Sequence, residues 1–85
     1  MLTKTIHIKG FQLVKLESKH MHKIGSPGIC DYCNYEMNAG TFIGALNKIY
    51  CDECFQKWEN RAVFYDQDRP FETRATDRLL TQINS

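Results

Sequence analysis

The alternation of hydrophobic and polar positions predicts strands at the start of the chain. Residues 4–16 are rich in β-branched and aromatic types, in two short runs separated by Gly10. We expect a hairpin or a bent strand here, with Ile6 and Ile8 on one face and His7 on the other. The segment should pack internally, because a small domain needs the buried area. The alternative is an edge strand that pairs with a partner's sheet.

Residues 17–29 are predicted to form a connecting segment between the strands and the first cysteine pair. They begin as a polar run and end in the breaker cluster Gly25-Ser26-Pro27-Gly28. His20 and His22 would share one face of a strand, but a second metal site needs more ligands than this pair offers. His20 is an alternative to one cysteine ligand, but four cysteines already complete a tetrahedron. We interpret both histidines as surface groups within a basic N-terminal β segment, residues 1–25.

The second half of the chain shows helical periodicity twice. Phe55, Trp58 and Ala62 form one apolar stripe, and a second stripe lies within residues 72–84, which predicts a C-terminal amphipathic helix. That stripe consists of Ala75, Leu79 and Ile83. A loop marked by Asp66, Asp68 and Pro70 should separate the two helices. The last helix either folds back on the molecule, the default for so short a chain, or docks on a partner.

Four cysteines carry the strongest chemical signal. They follow the pattern C-x2-C-x17-C-x2-C, in which two pairs of soft thiolates can close around one metal ion. The predicted site is one structural Zn²⁺ per chain, with Cys30, Cys33, Cys51 and Cys54 as ligands. Iron–sulfur chemistry, rubredoxin-like iron, redox thiols and two disulfides remain as alternatives.

The residues after each cysteine pair predict how the pairs are held. Asn34 tolerates the left-handed backbone of a metal-binding knuckle, whereas the bulky Phe55 does not. Asp52 and Glu53 suit the first turn of a helix, where the helix dipole favours carboxylates. An apolar hairpin with turns near residues 38–40 and 44–48 should connect the pairs. Knuckle, β-hairpin and helix together predict a treble clef over residues 28–65.

This stretch resembles a known family. The run Cys30-Asp-Tyr-Cys33, followed by Ala45-Leu-Asn-Lys-Ile-Tyr-Cys51-Asp-Glu-Cys54-Phe55, is similar to the first zinc-binding half of a LIM domain, with Cys51 where that family usually has His. The same spacing is similar to GATA-type fingers. A LIM domain requires a second ligand set, and neither Cys nor His follows Cys54. The resemblance therefore implies a single module, with protein interaction from the LIM likeness or nucleic-acid recognition from the GATA likeness.

Length sets the fold class and the need for metal. With 85 residues, 42% of them hydrophobic, we expect one domain over residues 1–85 and a small α+β fold. Its core is limited, and a structural zinc contributes about 10 to 16 kcal/mol of apparent binding free energy, so metal binding and folding should be coupled. The first residues hold no apolar run typical of a signal peptide or membrane span, which places the protein in a reducing cytoplasm without a membrane partner.

Charge is distributed unevenly along the chain. The formal net charge is +1, and four thiolates with one Zn²⁺ bring it near −1. Five lysines and one glutamate lie within residues 1–25, whereas residues 26–85 carry six basic and nine acidic side chains. A basic front therefore precedes an acidic body. Acidic residues in and after the zinc-site helix disfavour a phosphate-binding face.

These features predict a binding protein rather than an enzyme. A closed four-cysteine shell leaves no open metal position, and catalytic sequence motifs are missing, so we expect no catalytic residues and no small-molecule substrate. The favoured function is protein–protein interaction, as a small regulator or inhibitor that docks on a larger protein. The alternative is a GATA-like nucleic-acid-binding zinc finger that uses its basic N-terminal arm.

Overall fold

The computed structural model describes residues 2–85. This part of the chain contains four antiparallel strands and three α-helices, joined by turns and loops. The strands are β1 (Thr5–Ile6), β2 (Gln12–Glu17), β3 (Ala39–Ile43) and β4 (Lys48–Tyr50), paired in the order β1-β2-β3-β4. The helices are α1 (Ser18–Lys23), α2 (Asp52–Arg61) and α3 (Arg69–Asn84), and a 3₁₀ turn at Asp66–Asp68 directly precedes α3. The fold is the small α+β class that the sequence predicts.

The sheet separates two apolar clusters, because successive side chains on a strand point to opposite faces. Leu13 pairs with Ile43 on one face, and Val14 pairs with Phe42 on the other. The cysteine-side cluster consists of Phe11, Leu13, Cys30, Ile43, Tyr50, Cys54 and Trp58. The α3-side cluster consists of Val14, Leu16, Met21, Phe42, Ile49, Ala75, Leu79 and Ile83. The sheet is therefore covered on both sides, by α2 with the cysteines and by α3 with α1.

The N-terminal hairpin is present, but its polar face packs inward. β1 pairs with β2 through a turn in which Gly10 N donates to His7 O over 2.8 Å, with Gly10 at φ 101°. His7 lies edge-on against Phe11. Ile6 and Ile8, on the opposite face, are 61% and 96% exposed. Internal packing of this segment thus relies on His7 rather than on the two isoleucines.

The prediction of a connecting loop over residues 17–29 is wrong in its first part. Residues Ser18–Lys23 form α1, so His20 and His22 lie on a helix and not on a strand. His20 Nδ1 accepts a hydrogen bond from Glu17 N over 2.9 Å, which satisfies one free backbone group at the helix start. Met21 is 1% exposed and anchors the helix in the α3-side cluster.

Two turn predictions need correction and one is confirmed. Ala39 and Gly40 belong to β3 rather than to a turn, and the expected loop at residues 66–70 is a 3₁₀ turn followed at once by α3. Pro70 lies in the first turn of α3, where its missing N–H costs no helical hydrogen bond. The turn within residues 44–48 connects β3 and β4, with Asn47 at φ 55°.

Helix α3 packs back on the sheet. Ala75, Leu79 and Ile83 are all buried in the α3-side cluster, in agreement with the apolar stripe seen in the sequence. The start of α3 also carries a fully buried carboxylate that sequence reasoning missed. Glu72 Oε2 accepts from Gln12 N over 2.8 Å, and Glu72 Oε1 accepts from Arg69 Nη1 over 2.8 Å. A buried charge requires such partners, so these bonds determine where α3 meets β2.

Candidate metal centre

The first cysteine pair lies on a tight turn. Cys30 N donates to Tyr35 O and Asn34 N donates to Cys30 O, each over 3.0 Å. Asn34 has φ 66°, the left-handed conformation predicted for this position. An isolated bridge between Ile29 and Glu36 closes the turn at its base. The backbone thus directs both cysteines of the pair to one side.

Asp31 fastens this turn to the sheet. Its backbone N–H donates to Ile49 O over 2.9 Å, and its Oδ2 accepts from Ile49 N over 2.8 Å. Both backbone groups of Ile49 at the β4 edge are therefore satisfied by one residue. Because Cys51 follows two residues later, the same contact sets the distance between the two cysteine pairs. Sequence reasoning missed Asp31, although an acceptor side chain inside a C-x2-C turn was a visible signal.

The second pair lies at the start of α2. Cys51 is the N-cap residue, and Phe55 N donates to Cys51 O over 2.8 Å. Asp52 and Glu53 occupy the first turn and Cys54 follows within it, as predicted. A helix start therefore places two sulfurs beside the knuckle without a second left-handed residue.

The four sulfur atoms lie together and fit a tetrahedral ion. The Sγ atoms of Cys30, Cys33, Cys51 and Cys54 all lie within 4.8 Å of one another. Cys33 Sγ and Cys51 Sγ are 3.8 Å apart. A Zn–S distance near 2.3 Å in a tetrahedron requires sulfur separations of about 3.8 Å. Four soft thiolates are the donor set that zinc and iron prefer, so the cluster is suited to a structural metal such as zinc.

Two of the four cysteines differ sharply in acidity. Burial opposes ionisation of Cys30, but backbone N–H groups of Cys33, Cys51 and Tyr32 point at its sulfur and together lower its pKa from 9.0 to about 6. Burial raises the pKa of Cys54 to about 12, and the neighbouring cysteine sulfurs add to the increase. The part of the Cys54 pKa increase that comes from the neighbouring sulfurs reflects the cost of placing several thiolates together. A divalent cation held by the four sulfurs would remove that cost.

A dry aromatic layer covers the sheet side of the site. Trp58 is 7% exposed and stacks edge-on against Phe11, with ring centroids 4.7 Å apart. Phe55 packs on Trp58, and Ala62 also lies in this layer, as the helical stripe predicts. Cys30 and Cys54 are buried, whereas the other two cysteines are half-buried. Exclusion of water from this side protects thiolate ligands.

The histidines do not belong to the four-cysteine cluster. His20 and His22 lie on α1, and the only residues in the cluster are the four cysteines, within the described range 2–85. His7 has a role that the sequence did not reveal: its Nε2 lies 2.9 Å from Glu59 Oε2, and its Nδ1 accepts from Lys9 N over 3.0 Å. Nε2 thus joins the N-terminal hairpin to α2, while Nδ1 bonds the backbone within the hairpin itself.

Four of the five N-terminal lysines contact other groups of the chain. Lys9 Nζ donates to the carbonyls of Glu59 and Ala62 at the end of α2, over 2.6 and 3.0 Å. The other three contacts are Lys4 with Asp77 at 3.9 Å, Lys19 with Glu17 at 3.8 Å, and Lys23 Nζ with Ser85 O at 2.8 Å. Three of these lysines, Lys4, Lys9 and Lys23, therefore join the basic front to residues 59–85, whereas the contact of Lys19 is local and exposed.

Comparison of the chain with models of protein families, with curated proteins and with solved structures found no significant match. Across residues 2–85, none of the helices has the length and apolar character required to cross a bilayer. Fold and site together define the class: a small α+β protein with a four-cysteine site suited to a structural metal.

Proposed function

We propose that this chain is a zinc-stapled treble clef that acts in protein–protein interaction, as a small regulator or inhibitor of a larger protein. The observation that carries the proposal is the closed four-cysteine cluster in the core of the fold. Knuckle, β3–β4 hairpin and α2 contribute to it in the order of a treble clef, which supports the likeness to a single LIM zinc module. One Zn²⁺ per chain has a structural role there, since four thiolates leave no open position for a substrate or water.

A binding role without catalysis follows from the same site. All four sulfurs are committed as ligands, and His7, the histidine that contacts α2, has both ring nitrogens occupied. We therefore propose no enzymatic activity and no small-molecule substrate. Thiolate ligands require reduced cysteines, so the protein works in a reducing compartment such as the cytoplasm.

Exposed aromatic and aliphatic side chains support a protein partner. Tyr32 and Tyr35 on the knuckle are 59% and 76% exposed, and further apolar side chains emerge on the N-terminal hairpin and around the start of α3. These are Ile6, Ile8, Val63, Tyr65 and Phe71. Protein interfaces are enriched in such residues and poor in free lysine. The lysines that a nucleic-acid reading requires are mostly engaged within the chain, which favours protein over nucleic acid.

The experiment is capture of partners from the source cells with metal-loaded protein, in parallel with a Cys33→Ser variant. Each capture is treated with nuclease and repeated at low and high salt. We expect one protein partner that is retained after nuclease, is insensitive to salt and is lost with the variant. Co-purification of nucleic acid whose affinity falls steeply with salt would contradict the proposal and support the GATA-like alternative.

A further inference from the structure

The four cysteines of the candidate metal centre differ in their access to solvent. Cys30 and Cys54 are 0% and 8% exposed and belong to the cysteine-side cluster, whereas Cys33 and Cys51 are half-buried and pack against it. The susceptibility of a cysteine to oxidation follows its thiolate character and its exposure. Because metal ligands must be deprotonated, all four sulfurs are thiolates when zinc is bound, and exposure then distinguishes them.

Hydrogen bonds add to the difference between Cys30 and Cys33. The backbone N–H groups of Tyr32 and Cys51 donate to Cys30 Sγ over 3.4 and 3.3 Å, and that of Cys33 also points at this sulfur. One backbone donor, from Tyr35, points at Cys33 Sγ. Each such bond draws on the lone pairs with which a thiolate attacks an electrophile. Cys30 is therefore protected both by burial and by its hydrogen bonds.

The two accessible sulfurs lie close to each other. Cys33 Sγ and Cys51 Sγ are 3.8 Å apart, although the two residues belong to different C-x2-C pairs. A disulfide requires this separation to fall to about 2.05 Å. Cys33 lies on the knuckle and Cys51 is the N-cap residue of α2. A bond between them would therefore join the same two elements that the metal joins.

Contacts that involve no sulfur keep this pair together. Asp31 bonds both backbone groups of Ile49, over 2.9 and 2.8 Å. Asp31 lies two residues before Cys33, and Ile49 lies two residues before Cys51. The knuckle is thus held beside the start of α2 while the sulfurs react. An accessible thiolate next to a second cysteine that can form a disulfide with it is the usual arrangement of a redox sensor.

We propose that Cys33 and Cys51 form a peroxide-sensitive pair, whose oxidation to a disulfide releases the metal while Cys30 and Cys54 stay reduced. This inference concerns the metal site and does not depend on which partner the protein binds. Zinc has no redox chemistry of its own, so the sulfurs supply the electrons. In a reducing compartment such a disulfide is transient, as is typical of redox-sensing cysteines.

The reaction consumes one hydrogen peroxide and two thiolates. The first thiolate attacks a peroxide oxygen, so that an S–O bond forms, the O–O bond breaks and hydroxide leaves. The second thiolate attacks the sulfur of the resulting sulfenic acid, so that the S–S bond forms and a second hydroxide leaves. The two sulfurs together lose two electrons, which reduce the peroxide. Two thiolates then remain, fewer than the four that a closed structural zinc site requires.

Peptide mapping of the zinc-loaded wild-type protein is the direct test. The protein is treated with hydrogen peroxide, zinc release is followed with a chromogenic chelator, and the remaining thiols are alkylated during denaturation. Cleavage before Asp31, after Lys48 and before Asp52 then places the four cysteines on four separate peptides. Every possible disulfide therefore has its own mass in the digest.

We expect a link between Cys33 and Cys51, alkylated thiols at Cys30 and Cys54, and loss of the zinc from each oxidised chain. Two histidine variants distinguish the accessible pair from the other sulfurs, since histidine is also a zinc ligand and each variant keeps four ligands. Cys51→His removes one member of the pair, so peroxide should release its zinc at least about tenfold more slowly. Cys54→His leaves the pair intact and should release zinc at the wild-type rate.

Other products of the oxidation would overturn the inference. A main product linked within one C-x2-C pair excludes Cys33 and Cys51 as the reacting pair. Zinc release without a disulfide, or no reaction at peroxide concentrations that oxidise free cysteine, excludes the switch itself. Equal rates of zinc loss from the two zinc-loaded histidine variants would show that oxidation does not need the accessible pair. If either variant fails to bind zinc, the disulfide map of the wild-type protein decides alone.

Discussion

The two sides of the sheet are stabilised by different physics. The cysteine-side cluster is organised around four sulfurs within 4.8 Å of one another, whereas the α3-side cluster consists of apolar side chains, beside the buried Glu72 carboxylate that bonds Gln12 N. A structural zinc contributes about 10 to 16 kcal/mol of apparent binding free energy, which exceeds what one helix stripe supplies. The cysteine side should therefore determine whether the chain folds, and the α3 side how stable the folded state is.

Loss of one ligand should have the largest effect. Cys54→Ser removes a sulfur from the first turn of α2, and three thiolates no longer enclose the ion. We expect loss of stoichiometric zinc and of the cooperative thermal transition, because metal binding and folding are coupled. Circular dichroism and elemental analysis measure both.

Asp52→Ser, in the same helical turn, is the matched control and should keep zinc and a cooperative melt. Cys54→His, which supplies another zinc ligand, should restore part of the metal binding. A native-like melt in Cys54→Ser would contradict the dominance of the cysteine side.

A cavity in the α3-side cluster should lower the free energy of unfolding without releasing the metal. Leu79 is 7% exposed in the α3-side cluster, and Leu79→Ala should reduce the free energy of unfolding by about 2 to 5 kcal/mol. Denaturant unfolding measures this loss, while the zinc content of the folded protein should remain one per chain. Arg78→Ala, at an exposed neighbouring position, serves as the control. Loss of zinc from folded Leu79→Ala would show that the two sides are not separable.

A smaller effect is expected where α3 approaches the β3–β4 turn. A Cβ at Gly44 would overlap the Thr76 hydroxyl and lie 3.0 Å from Glu72 Cγ. Gly44→Ala should therefore displace α3 and cost about 1 to 3 kcal/mol, with zinc retained. Gly25→Ala tests backbone strain alone, since its φ is +73° and nothing lies within 4 Å of the added carbon. A Gly44→Ala variant as stable as the parent protein would contradict close packing of α3 against this turn.

The sequence predicted the cysteine side better than the α3 side, for a physical reason. The ligand spacing, the left-handed Asn34 and the stripe beginning at Phe55 are local features, and each can be read within a few residues. Helix α1 was missed because six residues are too short to show helical periodicity.

Three further contacts were missed because their partners are distant in sequence. Asp31 bonds Ile49 across 18 positions, and Gln12 bonds Glu72 across 60. His7 contacts Glu59 across 52 positions. Its inward orientation was therefore not evident from its place between two isoleucines on the strand. The contacts of Glu72 and His7 depend on the assembled fold and have no local pattern, whereas Asp31 left one local signal, an acceptor side chain inside a C-x2-C turn.

The most direct test of the central claim follows the fold while the metal is removed. Trp58 is the single tryptophan and lies buried beside the cysteines, so its fluorescence reports on this side of the sheet. We predict one zinc per chain, and a chelator titration in which zinc release, the red shift of Trp58 emission and loss of circular dichroism coincide. A purified protein that contains iron or no metal, or whose Trp58 emission is unchanged once zinc is gone, would contradict the account.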